Sequence, residues 1–75
     1  MSVAPVVAML KIEVEREEDG RWIAEVPELP GVLAYGASEA EARIKATALS
    51  LHVLADLLEH GEAIPVDPHI LFAAA

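Results

Sequence analysis

From Glu39 to about His60 nothing in the sequence interrupts a helix, and no other feature restricts the fold of this chain as much. Alanine and leucine dominate the stretch. Ser38 with Glu41 three residues on is a capping-box pattern, Glu39 and Glu41 suit the positive helix end, and Gly61 supplies a stop. At about 100° per residue the helix carries two apolar stripes. Ala40, Ile44, Ala48, Leu51, Ala55 and Leu58 form one; Ala42, Ala46, Leu49, Val53 and Leu57 form the other, roughly opposite. One sheet cannot cover both. The stripe bearing Ile44, Leu51 and Leu58 is expected to cover the sheet, which assigns Ala42, Ala46, Leu49, Val53 and Leu57 to an oligomer interface in a homodimer or dimer of dimers.

The residues before the helix read as strands. In "LKIEVE", Leu10, Ile12 and Val14 alternate with Lys11, Glu13 and Glu15, the period of a half-buried strand. Asp19-Gly20 is a turn signal, and "RWIAEV" alternates again, with Trp22, Ala24 and Val26 set against Arg21, Ile23 and Glu25. An antiparallel hairpin follows from this. The corner "PELPG" then reverses the chain into "VLAY" as a third strand. Pro27 ends the second strand, Pro30-Gly31 fits the centre of a type II turn, and Leu29 folds under as a plug at the sheet's end. Glu28 only bridges here, so its truncation is expected to be nearly neutral to folding. Gly36 breaks the third strand, and after the helix "HILF" reads as a short fourth strand, parallel to an earlier one by a right-handed crossover. The fold class is α+β.

Seventy-five residues with no cysteine make one domain without disulfides or thiolate metal sites, and fit a cytoplasmic location. The chain is 55% apolar yet has a formal charge of -8, so apolar and acidic residues must be segregated. An acidic surface repels phosphates and favours basic protein partners over nucleic acid or anionic lipid. No run reaches the roughly 20 apolar residues of a membrane span.

Catalytic chemistry is hard to read from the pattern. Two-metal nuclease chemistry needs convergent carboxylates. Glu13, Glu15 and Glu25 instead alternate with core positions, which puts them on the outer sheet face alongside Lys11 and Arg21 as a solvated, partly paired group. His52 and Asp56 sit one helical turn apart without an evident third ligand, and Ser38 is accounted for as a cap. No catalytic residue, metal or cofactor is expected. Trp22 is either a core anchor beneath the helix or an interface hot spot.

The order of acidic turn, "DGRWIAEVPELPGVLAYGASEAEA" and long helix resembles the HicB-like antitoxin family, with its partial ribonuclease H-like domain. The resemblance covers nearly the whole chain. It rests on Gly20 with Trp22 two positions on, Ala24-Glu25-Val26-Pro27, Leu29-Pro30-Gly31, Gly36, and Ser38 with Glu41-Ala42. It implies a β-β-β-α-β fold with one helix packed on one sheet face and the fourth strand beside the first. It also implies a non-enzymatic protein-binding regulator that sequesters a small basic ribonuclease toxin, with Trp22, Glu25 and Glu28 as candidate partner-binding residues. Residues 1–75 form a single such domain, and the C-terminal DNA-binding domain that many members carry is not expected here. The alternative is a purely structural homo-oligomerising module without a toxin partner.

Overall fold

Two hairpins made from consecutive sequence build the sheet. The structure, a computed structural model, describes residues 9–67. Strands β1 (Glu13–Arg16), β2 (Trp22–Glu25) and β3 (Leu33–Gly36) form an antiparallel sheet in the order β1-β2-β3, and helix α1 (Glu39–Glu59) packs on one face of it. Val14, Ala24 and Ala34 share one rung, and Glu15, Ile23 and Tyr35 the next.

Local chemistry explains each reversal. Between β1 and β2, the Gly20 N–H donates to the Glu17 carbonyl at 3.0 Å and the Glu17 N–H to the Arg21 carbonyl at 2.7 Å, with Gly20 at φ +91. Glycine in this conformation lets a short loop close on a right-twisted pair of strands. The corner between β2 and β3 is two consecutive turns inside one ring. The Leu29 N–H donates to the Val26 carbonyl, the Val32 N–H to the Leu29 carbonyl, and the Val26 N–H to the Val32 carbonyl, all at 3.0–3.1 Å. Pro27 and Pro30 each occupy the second position of a turn, and Gly31 lies at φ +89, as a type II turn requires. Leu29, held between them, is 2% exposed and joins the core.

The helix limits match their signals. Ser38 Oγ accepts from the Glu41 N–H at 3.1 Å, while the Glu41 carboxylate accepts from the Ala37 N–H at 3.2 Å, one residue earlier than the usual reciprocal bond. At the other end Glu62 N–H donates to the Leu57 carbonyl and Gly61 N–H to the Leu58 carbonyl, a Schellman closure with Gly61 at φ +68.

The core has two parts. Ala24, Ala42 and Ala46 are fully buried beside Val14, Trp22 and Ala34. Val26, Leu29, Val32, Leu54 and Val66 form the second part, joined by Leu10, Leu49, Val53, Leu57 and Ile64. The assignment of the two helical stripes is therefore inverted. Ala42, Ala46, Leu49, Val53 and Leu57 face the sheet of their own chain, so they are core and not an oligomer interface; Ile44, Leu51 and Leu58 are exposed. The reason is a close approach that periodicity does not reveal. A Cβ built on Gly36 would lie 2.5 Å from the Ala42 backbone nitrogen, so the helix starts in contact with the end of β3, and only an alanine row fits beneath it.

The expected fourth strand at "HILF" lies outside the described residues, as does the beginning of the first strand up to Ala8. Val66, just before the former, returns to the core at 7% exposure.

Candidate functional site

The sheet face turned away from α1 presents side chains to solvent. The registers place Glu13, Glu25 and Leu33 on one rung of this face and Glu15, Ile23 and Tyr35 on the next. Glu13, Glu15 and Glu25 are exposed, Leu33 and Tyr35 are 41% and 40% exposed, and Ile23 is half-buried between them. Glu13, Glu15, Glu17 and Glu25 border a shallow depression around Ile23. The arrangement is an apolar strip bordered by carboxylates.

The expected pairing of these carboxylates with Lys11 and Arg21 is not what the structure places there. Among the described residues none of Glu13, Glu15 and Glu25 takes part in an ion pair. Arg21 turns instead to Asp19, with 2.8 Å between Nε and Oδ2, and its guanidinium lies 4.7 Å from the centroid of the Tyr35 ring. The Asp19 carboxyl is held below its ordinary range, first by the Arg21 backbone N–H and further by the Arg21 side chain. Glu13 and Glu25 are left directly opposite each other, two like charges on adjacent strands.

The three candidate partner-binding residues do not converge. Trp22 is half-buried on the helix side of the sheet, packed against the alanine cluster, which makes it a core anchor. Glu25 belongs to the outer face. Glu28 sits in the corner, where its Oε1 accepts from the Lys11 N–H at 3.2 Å and its Oε2 is buried with no hydrogen-bond partner among the described residues. Glu28 thus ties the corner to the approach of β1, a link across 17 residues that the expectation of a neutral bridge overlooked. Pro27, Pro30, Gly31, Ser38 and Glu41 occupy the roles their types suggest, whereas Gly36, expected to break the third strand, is its last residue, paired with Trp22 where the helix comes close.

Sequence reasoning missed Leu33 and Tyr35 as exposed residues. A signal was present, because β3 alternates them with Ala34 and Gly36, and small residues mark the side where another element approaches closely. The described residues hold no group of three or more histidine, aspartate or glutamate side chains arranged to bind a metal ion. His52 is exposed, and Asp56 is engaged by His60, whose Nδ1 lies 2.7 Å from its carbonyl oxygen and 3.4 Å from its Oδ1. Ser50, buried in mid-helix, donates its hydroxyl to the Ala46 carbonyl at 2.7 Å and so is satisfied within the helix. No helix among the described residues is long and apolar enough to cross a membrane.

No protein-family model, curated protein or solved structure matches the chain.

Proposed function

We infer that this chain is a non-enzymatic, cytoplasmic protein-binding regulator, similar to a HicB-type antitoxin, that sequesters a small basic partner on the outer face of its sheet. The observation that supports the reading is the exposed strip of Ile23, Leu33 and Tyr35 bordered by Glu13, Glu15 and Glu25. An apolar centre supplies affinity, and a carboxylate border steers a cationic protein and rejects phosphates. A ribonuclease that grips RNA through lysines and arginines offers the complementary surface. These carboxylates, which have no cations of their own among the described residues, are available to such a partner. In this reading the RNase H-like resemblance describes a scaffold that binds and does not cut.

The test asks first whether a small basic protein is encoded in an adjacent reading frame, and then uses that protein. The two proteins should copurify, and excess of this chain should suppress RNA cleavage by the partner. Glu13→Lys together with Glu25→Lys should weaken the complex by about tenfold or more while the fold persists, since both side chains face solvent. Undiminished cleavage in the presence of excess protein would reject the reading. So would RNA cleavage by this chain alone with Mg²⁺ or Mn²⁺. A second reading, a homo-oligomerising module without a toxin partner, is favoured by the exposed aliphatic residues of α1 and gains ground if no such basic protein is encoded nearby.

A further inference from the structure

Ile44, Leu51 and Leu58 are 69%, 56% and 48% exposed and recur every seven residues on the side of α1 away from the sheet. Ala48 and Ala55, also exposed, stand between them, giving apolar positions at alternate spacings of four and three. Arg43, Ile44, Thr47, Ala48 and Leu51 line a shallow depression on this side. Glu41, Lys45, His52 and Glu59 stand along one margin, and no charge interrupts the stripe itself. A run of large aliphatic side chains in one line on an otherwise acidic protein is the kind of surface that association covers.

We propose that this stripe is the seam of a homodimer in which two copies of α1 pack antiparallel about a two-fold axis at Leu51. The occupant is a second copy because the stripe is complementary to its own reversal. Turned about Leu51, Ile44 meets Leu58 of the second copy, Leu51 meets itself, and Ala48 falls within one residue, about 1.5 Å along the axis, of Ala55. Large side chains face large ones, and the alanines let the helices approach closely. The margin follows the same symmetry: Lys45 comes within two residues, about 3 Å along the axis, of Glu59 of the second copy, within reach of its long side chain, and the pair occurs twice. Lys45 is held at this margin by its own Glu41, with 3.2 Å between Nζ and Oε1. A parallel pair would put Lys45 beside Lys45 and Glu59 beside Glu59, and would align the two helix dipoles. From Ile44 to Leu58 the stripe is about 21 Å long at the usual helical rise. A seam on this side leaves the outer sheet face free on the far side of the domain.

Sedimentation equilibrium of the full chain, over a range from about 1 µM to 200 µM, tests the proposal. The parent should pass from monomer to a mass of two chains and no higher. Leu51→Glu should remain monomeric throughout while keeping the parent's helical circular dichroism, because the position is exposed in the monomer. Lys45→Glu and Glu59→Lys should each weaken association by roughly threefold to tenfold, and the two together should restore it. A parent that stays monomeric at 200 µM overturns the proposal, as does a Leu51→Glu protein that still dimerises. A dimer that is lost in Leu51→Glu, but whose association is not restored in the double charge exchange relative to the single charge variants, overturns the antiparallel arrangement.

Discussion

The two ends of the helix–sheet contact are built on opposite principles. Where α1 begins, Ala42 and Ala46 rest on Ala24, and Gly36 lies so close to the Ala42 backbone that it has no room for a methyl group. Toward the other end Leu49, Val53, Leu54 and Leu57 meet Val26, Leu29, Val32 and Val66. The first end is held by main chains in near contact, the second by the volume of large side chains. Main-chain contact leaves no slack for an added atom, whereas a cluster of large side chains can repack in part when one is shortened.

The contrast can be broken most forcefully at Gly36. Gly36→Val should unfold the domain at 25 °C, because the branched side chain must displace helix backbone, and the whole stability of 75 residues is only about 4–11 kcal/mol. A cooperative melt close to the parent's would show that the close end yields as easily as the other. At the large-residue end Leu29→Ala should cost about 2–4 kcal/mol in chemical denaturation and leave a folded protein. Loss of the fold here would put the corner, not Gly36, at the centre of the architecture. Gly31→Ala probes the same corner without touching the core. Open space surrounds the position, so only the φ of +89 opposes a side chain, and the cost should be about 1 kcal/mol.

The smallest effect concerns the cap at the close end. The Ala37 N–H, and after it Lys45, hold the Glu41 carboxyl below its ordinary value of 4.5. A depressed folded pKa means that the cap's contribution is complete above the unfolded value and is lost as pH falls through the folded one. Glu41→Gln should therefore reduce stability at pH 7 and flatten its decline below about pH 4.5, with little difference left in strong acid. A parent and variant whose midpoints stay equally separated from pH 7 down to pH 2 would remove Glu41 from the cap.

The same contrast explains what the sequence discloses. Turns and caps are local chemistry, so Pro27, Pro30, Gly31, Ser38, Glu41 and Gly61 announce their roles, and the helix limits and strand order follow from them. The choice between two apolar stripes is not local. It is decided by how near Gly36 comes to Ala42, and reading larger side chains as the buried ones turns the helix the wrong way round. The outer face shows the same divide. Alternation places Glu13, Glu15 and Glu25 there, but the exposure of Leu33 and Tyr35 follows from small residues being needed beneath the helix. The bond from Lys11 to Glu28 joins two segments that no pattern links.

The opposed carboxylates of Glu13 and Glu25 bear on how the protein behaves in crowded solution. A three-stranded sheet with Ile23, Leu33 and Tyr35 on its open side would otherwise stack on its own copies. Face to face, two such sheets bring together carboxylates that have no cations of their own among the described residues, and the cost rises with every copy added. The repulsion acts over about 8 Å at physiological ionic strength and shrinks to about 3 Å in molar salt. Colloidal stability, followed by light scattering, should accordingly fall as salt is raised or the glutamates are protonated, while the midpoint of unfolding rises slightly as the strain between neighbouring strands is screened.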